Sequence, residues 1–367
     1  MRVLQVIARL NVGGTARYVG RLATDLPARG IETIVATGQV QGAEQEDPIA
    51  ERLVITRVPH LGRRIDPIND LRAHRELQKI VDEYKPQIIH THTFKAGLIG
   101  RLIKSDAKRV HTYHGHLLDD PEFSGWKKPF VIQVERTLAH RADILITVGS
   151  QVAEDLIAIK IGERSQYRSI SPGVDALFLP SREAARIGLE LVDEPRPIVS
   201  WLARVTGVKA PHRLVELAKE FPNARFLIAG GGDLLEEVKR NAPSNLTVLG
   251  WRDASTIWAA TDIALSTSDN EGMPVALIEA QLAGIPVVAT SVGGVAEVVA
   301  NEETGFVVPP NTRDLAEALT RLLDDPYLRI TFGAAAKVRA TRLFDPARML
   351  DNHIALYQKL LLTDSPR

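Results

Sequence analysis

Glu271 and Glu279 stand eight positions apart across the step Gly272-Met273-Pro274-Val275, the first in a polar run and the second in an apolar one. That spacing is roughly two turns of an α-helix, so the two carboxylates can be turned toward one ligand. Pro274 is expected at the first helical position, where its missing N–H costs nothing. A helix begun there aims unsatisfied N–H groups at the space beside Glu271, a ready site for phosphate oxygens. Carboxylates also accept hydrogen bonds from hydroxyls. Hydroxyl acceptors beside an anion site describe a nucleotide-sugar pocket better than a pair of hydrolytic acids. Singly, Glu271 could be a helix N-terminal charge and Glu279 a solvated carboxylate. Neither reading accounts for the pair together with the Gly293-Gly294 turn that follows.

Other residues of chemical interest fall at the ends of strand-like runs. Arg204 and Lys209 follow the run 198–202, where open α/β sheets bind ligands outside the carboxyl ends of their strands; the plainer alternative is two solvated charges. Gly13-Gly14 follows the first strand-like run and lets backbone approach a phosphate, although an ordinary tight turn has the same look. No third glycine completes G-x-G-x-x-G and no Walker lysine follows, which weakens dinucleotide and P-loop readings. Gly230-Gly231-Gly232-Asp233 closes another strand-like run, and Trp251-Arg252 the next, with Trp251 expected in the core. His90, His92, His111, His114 and His116 crowd two neighbouring strand ends, a density that first suggests a metal. The H-x-H-x-D-H pattern of metallohydrolases is not met, because in His114-Gly115-His116-Leu117-Leu118-Asp119-Asp120 the acid comes one place late and no third histidine follows. No metal site is expected.

The elements that must position these residues alternate. Runs rich in β-branched residues at 3–7, 33–37, 55–58, 88–91, 110–113 and 144–148 read as strands. Helical spacing fills 16–29, stopped by Gly30, and 69–84, stopped by Lys85-Pro86. The pattern breaks near Ser171-Pro172-Gly173 and restarts with strands at 198–202, 226–229, 247–249, 263–266, 287–289 and 305–308, between helices beginning near His212, Leu234, Ser255, Val275, Val295 and Thr312. Alternation of this kind argues for parallel sheets covered on both faces. With 367 residues, 45% of them hydrophobic, the chain exceeds the roughly 250–300 residues at which single cores stop growing. The expected division is a first domain over 1–171, a linker over 172–197, a second domain over 198–344, and a closing helix within 345–367. Lys+Arg and Asp+Glu both total 45, so no net field points to nucleic acid. The absence of cysteine excludes disulfides and thiolate chemistry. The start resembles no signal peptide, and the charge-free stretch 280–296 is broken by Gly284, Pro286, Gly293 and Gly294, which argues against a membrane span. A cytoplasmic protein is expected, with peripheral contact at the inner membrane face left open.

Gly284-Ile285-Pro286-Val287-Val288-Ala289-Thr290 and Gly293-Gly294 with Glu297, added to the Glu271 and Glu279 constellation, resemble the retaining GT-B glycosyltransferases of family 4. The resemblance runs over almost the whole chain. It implies an α/β GT-B fold of two doubly wound Rossmann-like domains facing a central cleft, with the closing helix crossing back onto the first. It implies His114 facing the donor sugar, Arg204 and Lys209 clamping the donor diphosphate, and Glu271 holding sugar hydroxyls, a catalytic set of four. Gly13, Gly14, Gly230, Arg252, Gly272, Met273, Pro274 and Val275 would border the donor, and Glu279 would bind the nucleotide ribose. His90 and His92 would be structural or acceptor-side. The implied reaction moves a sugar, with retention, from a UDP- or GDP-sugar to a hydroxyl of a glycan, lipid-linked or small-molecule acceptor in bacterial polysaccharide or glycoconjugate synthesis, with no metal or other cofactor. Two departures stand out: Ala210 where the family usually has glycine after the lysine, and Met273-Pro274 where many members carry an aromatic residue and glycine. A GT-B sugar-nucleotide epimerase and a non-catalytic nucleotide-sugar binder are the rival readings.

Overall fold

The structure of the protein, a computed structural model, describes residues 1–40, 45–62, 65–115, 125 and 127–362. His116, Asp119 and Asp120 lie outside the described residues. The chain forms two compact units, Met1–Gly173 with Pro346–Arg367, and Val174–Asp345.

The first unit is built on a seven-stranded parallel sheet in the order β3-β2-β1-β4-β5-β6-β7. Its strands are β1 (Arg2–Ile7), β2 (Glu32–Thr37), β3 (Ile55–Arg57), β4 (Ile88–His92), β5 (Lys108–Tyr113), β6 (Ile144–Thr147) and β7 (Tyr167–Ser169). Parallel strands buried on both faces read as continuous apolar runs, which is why polar residues inside them carry information. Gln5 pairs in register with His90, and Ile7 with His92, while His92 is level with Thr112 on the next strand. Because side chains alternate along a strand, Gln5, His90, His92 and Thr112 share one face. That face meets α1 (Gly14–Asp25) and the closing helix α14 (Pro346–Leu362), whose Tyr357 and His353 are wholly buried. The opposite face packs Leu4, Val6 and Ile89 against Leu77, Val81, Ala96 and Ile99, from α2 (Pro67–Tyr84) and α3 (Phe94–Gly100). The spacing expected one helix over 16–29; α1 ends at Asp25, and Pro27, which has no amide N–H to donate, opens a separate 3₁₀ turn over Pro27–Arg29.

The second unit has a six-stranded parallel sheet, β10-β9-β8-β11-β12-β13, from β8 (Ile198–Leu202), β9 (Arg225–Ala229), β10 (Leu246–Gly250), β11 (Ile263–Ser266), β12 (Val287–Thr290) and β13 (Gly305–Val308). Trp201, Phe226, Ile228, Leu265 and Val288 join Leu214, Leu217, Leu315 and Leu319 in its core. Both sheets are therefore doubly wound in the Rossmann manner. The segment 172–197 is more than a tether. Ser181 caps a helix over Arg182–Gly188, Ala185, Leu189 and Leu191 are buried, and Arg182 reaches Asp262 at 2.7 Å, so 174–197 belongs to the second unit, while Pro172 and Gly173 fall in the first. An amphipathic turn with its own cap explains the difference. In the same unit α10 (Val275–Leu282) packs on α13 (Pro326–Leu343). A Cβ on Gly333 would fall 2.2 Å from the Gly284 carbonyl oxygen, so α13 closes to backbone distance on the turn that ends α10. No helix among the described residues is long and apolar enough to cross a membrane.

Candidate functional site

In the second unit, the loops after β8 and β11 are sewn together beneath the site. Trp201 Nε1 donates to Thr267 Oγ1 at 3.0 Å, and Thr267 Oγ1 reaches the carbonyl oxygens of Lys209 and Ala210 at 2.9 and 3.0 Å. The Asp269 amide donates to the Val208 carbonyl at 2.9 Å, and Arg213 binds the Thr267 carbonyl and the Asp269 carboxylate. Lys209 closes a 3₁₀ turn over Gly207–Lys209, and Ala210 takes the left-handed conformation with φ 47°. That geometry favours glycine, so the family departure at Ala210 keeps the turn at a strain cost of about 1–2 kcal/mol.

The turn delivers the Lys209 ammonium to Glu271, Nζ to Oε1 at 2.6 Å. Ser268 Oγ donates to the same oxygen at 2.7 Å, and Thr290 Oγ1 holds the Ser268 carbonyl at 2.6 Å. Both donors fall on Oε1, and Oε2 has no hydrogen bond among the described residues. Glu271 is 9% and Glu279 5% exposed, so each carboxylate is largely withdrawn from water. Pro274 occupies the position preceding α10 with ψ 92°, and the helix begins at Val275. The expected placement of Pro274 as the first helical residue is thus off by one, because its ψ is still extended. Its lack of a capping side chain leaves first-turn amides to an outside acceptor.

Two glycine clusters let backbone touch backbone around these groups. A Cβ on Gly293 would lie 1.7 Å from the Glu271 carbonyl oxygen and one on Gly294 2.1 Å from that of Gly272; Gly293 also has φ +49°. Gly293-Gly294 is thus the floor that sets the height of the Glu271 loop. Gly293→Ala is expected to cost about 1–3 kcal/mol through forced backbone shifts and to lower turnover about tenfold through misplacement of Glu271. Thermal unfolding and steady-state rates check this, and a variant with wild-type values of both would contradict it. Likewise a Cβ on Gly230 would meet the Ala203 carbonyl oxygen at 1.9 Å, and one on Gly232 the Val205 carbonyl oxygen at 2.2 Å. Those contacts bracket Arg204, whose exposed side chain makes no ion pair among the described residues. Trp251, expected in the core, is 63% exposed. Its indole edge lies against the Gly231 backbone, and Arg252 beside it is exposed and donates to the Trp251 carbonyl at 3.1 Å.

In the first unit the histidines at the carboxyl ends of β4 and β5 form one network. His92 and His114 meet Nδ1 to Nε2 at 3.0 Å, and His92 Nε2 meets Gln5 Oε1 at 2.7 Å. His90 lies between Tyr357 and Thr112, at 2.6 and 2.7 Å. Tyr18 stands edge-on to His114, ring centres 4.9 Å apart, and its hydroxyl meets His353 Nε2 at 3.1 Å. Just ahead of His114, Tyr113 is anchored by its hydroxyl to Glu135 at 2.7 Å, the carboxylate that Arg101 grips with Nη2 at 2.7 and 2.8 Å. Among the described residues no group of three or more histidine, cysteine or acidic side chains is arranged to hold a metal ion. Gly13 precedes α1 with φ 153°, a conformation open to glycine, and gives the helix no side-chain cap. Sequence reading passed over Gln5, Tyr18, His353 and Tyr357; the signal for Gln5 was an amide in mid-strand among residues buried on both faces.

Burial holds every histidine of this network neutral. Desolvation, reinforced by neighbouring histidines, keeps His90 and His92 well below the ordinary imidazole range, and desolvation with the Arg101 charge does so for His111. Burial brings His114 down to about 3 and His353 down to about 4. The unfolded chain takes up these protons near pH 6.5 while the folded one resists, so their contribution to stability is full above about pH 6.5 and is lost as pH falls toward the folded values. The melting temperature is expected to be level above about pH 7 and to fall steadily below about pH 6.5. An unchanged Tm down to about pH 5 would contradict the buried neutral network.

Residues 187–339 match the family described as Glycosyl transferases group 1, and residues 13–173 match the Glycosyl transferase 4-like domain. The chain is 30% identical over 293 residues, 74% of its own length and 76% of the relative's, to the UDP-Gal:alpha-D-GlcNAc-diphosphoundecaprenol alpha-1,3-galactosyltransferase of Escherichia coli. In structure it is similar to sucrose-phosphate synthase from Thermosynechococcus elongatus, with TM-score 0.85 and 24% identity over 99% of this chain and 100% of that one. It is also similar to Anabaena HepE in complex with UDP and glucose, with TM-score 0.83 and 20% identity over 98% and 100% of the two chains.

Proposed function

The chain belongs to the group 1, family 4-like glycosyltransferases of the GT-B fold, and from that premise we propose that it transfers a sugar, with retention and without a metal, from a UDP-sugar or GDP-sugar to a hydroxyl of a glycan or lipid-linked acceptor. The observation that carries this reading is the Lys209 and Glu271 pair beside the uncapped start of α10. It sets a cation and helix amides for phosphate next to a carboxylate oxygen open to sugar hydroxyls.

In the proposed reaction the bond from the anomeric carbon to the diphosphate oxygen breaks, and its electron pair leaves with the phosphate. Arg204, Lys209 and the first amides of α10 meet that growing charge, the electrostatic role that commonly contributes most. The acceptor oxygen forms the new bond on the same face, and its proton passes to the departing phosphate oxygen. Glu271 Oε2 holds donor-sugar hydroxyls, Glu279 takes the ribose, and Gly230, Arg252, Gly272, Met273 and Val275 border the donor. Met273, in place of an aromatic residue, makes the donor sugar a point on which this chain can depart from the family. The E. coli relative's lipid diphosphate acceptor and the UDP held by HepE support a UDP-sugar and a lipid-linked acceptor in bacterial glycoconjugate synthesis at the cytoplasmic face of the membrane. An epimerase would use the same nucleotide groups without needing an acceptor.

The test is a screen of UDP- and GDP-sugars for binding, hydrolysis and transfer, with the anomeric configuration of the product read by NMR in the presence of chelator. Transfer with retention, undiminished by chelator, is the expected result. An inverted product, activity restored only by a divalent metal, or an epimerised nucleotide sugar would overturn the corresponding part.

A further inference from the structure

The histidine network of the first unit has a direction that can be read from groups able to act in only one way. A carbonyl oxygen only accepts. His353 Nδ1 faces the Met349 carbonyl at 2.8 Å, so it carries the proton, and His353 Nε2 accepts from the Tyr18 hydroxyl. The amide oxygen of Gln5 faces His92 Nε2 at 2.7 Å, so His92 carries its proton on Nε2. The Gln5 amide nitrogen donates to the Tyr357 hydroxyl at 3.5 Å, which turns the Tyr357 proton toward His90 Nδ1 and the His90 Nε2 proton toward Thr112. Each hydrogen bond in the chain then joins one donor to one acceptor.

This ordering leaves His92 Nδ1 with a lone pair, and its partner at 3.0 Å is His114 Nε2. The proton in that bond must come from His114. His114 Nδ1 is then unprotonated, and it has no partner among the described residues. His114 itself is half-buried at the edge of the network, whereas Gln5, His90, His92 and His353 are fully buried.

We propose that Gln5 and His92 are positioning residues that hold His114 as its Nε2–H tautomer, so that Nδ1 presents a lone pair to a substrate hydroxyl. The amide of one mid-strand glutamine thereby sets a specificity rule: His114 accepts a hydrogen bond and does not donate one. A substrate must bring a free hydroxyl to that point, and a deoxy or O-methyl analogue at that hydroxyl loses the interaction. The hydroxyl is a sugar's only if the glycosyltransferase reading holds, whereas the tautomer does not depend on it.

The tautomer is read by long-range ¹H–¹⁵N NMR on the full chain labelled at histidine nitrogens, near neutral pH and without ligand, with the His114 signals assigned by their loss in His114→Asn. The expected spectrum shows His114 with a pyrrole-like Nε2 and a pyridine-like Nδ1. Gln5→Leu removes the acceptor for His92 and is expected to move His114 toward the Nδ1–H form. Gln5→Glu keeps an acceptor there and is expected to retain the wild-type tautomer. With the donor found in the screen, Gln5→Leu should lower kcat about tenfold, the worth of one hydrogen bond to a hydroxyl, with nucleotide Kd unchanged and Gln5→Glu closer to wild type. A wild-type His114 protonated on Nδ1 would overturn the proposal whether or not any variant folds, because it means the Gln5 amide is turned. An unchanged His114 tautomer in Gln5→Leu would overturn the role of Gln5. A chain that transfers no sugar but shows the expected tautomers would overturn the functional reading and leave this one standing.

Discussion

Replacing Lys209 by alanine is expected to lower turnover about 10²–10³-fold, the loss found when one preorganised charge-stabilising donor is removed, and Arg204→Ala is expected to do the same. Lys209 is poised at little reorganisation cost. Its backbone carbonyl is tied by Thr267, its turn is locked by the left-handed Ala210, and its ammonium is parked on Glu271 at 2.6 Å. A diphosphate arriving beside α10 meets a cation already in place and competes for it with a single carboxylate oxygen. In the proposed reaction Arg204 would meet the same charge from an exposed loop whose height is set by Gly230 and Gly232. Lys209→Arg is expected to rescue poorly, since a planar guanidinium cannot replace a compact ammonium in a pocket shaped by Ser268 and Glu271. The check is kcat alongside nucleotide Kd and Tm, to separate lost chemistry from lost folding. Full activity in both alanine variants would sink the clamp.

The difference between what the sequence discloses and what folding adds is clearest around these same residues. Period and punctuation were enough to anticipate twelve of the strands that the structure contains, because buried parallel strands write themselves as β-branched runs between helical patterns. The strand they missed, β7, is three residues long with only Tyr167 buried, too short to show a period. The helix over Arg182–Gly188 was hidden in a stretch that prolines made look like tether. Within the site, local spacing put Glu271, Gly272 and Glu279 at one helix start, but it gives no pairing between residues 62 positions apart, which is the separation of Lys209 and Glu271. The same holds for His114, whose neighbours come from β4 and α1, backed in turn by Gln5 of β1 and His353 of α14. A glycine-flanked histidine was legible as a motif. Gln5, which sets its proton, was not, because a lone amide in a strand acquires meaning only once the register places it beside His90.

The two glutamates should separate in their effects, and the geometry says in which direction. Glu271 has one oxygen filled by Lys209 and Ser268 and one left open, outside the helix and ahead of its first amides. Glu279 lies within α10, 5% exposed, between the buried Ile278 and Ala280. Glu271→Ala removes the acceptor for sugar hydroxyls and also releases Lys209 from its parked position, so it is expected to cut turnover about 10²–10³-fold while changing UDP or GDP affinity far less. Glu271→Gln keeps the shape but swaps an anionic acceptor for a neutral amide, and should fall between alanine and wild type. Glu279→Ala is expected chiefly to weaken nucleotide binding, by about tenfold for one lost hydrogen bond to a ribose hydroxyl, with the turnover of saturated enzyme much less affected. Calorimetric titration with UDP and GDP, paired with kcat at saturating donor, distinguishes the two: if Glu271→Ala weakened nucleotide binding more than Glu279→Ala did, the two roles would have to be exchanged, since the oxygen of Glu271 assigned to the sugar has nothing to offer a nucleotide from which that sugar has departed, and the Lys209 ammonium released from Glu271 stays available to the diphosphate.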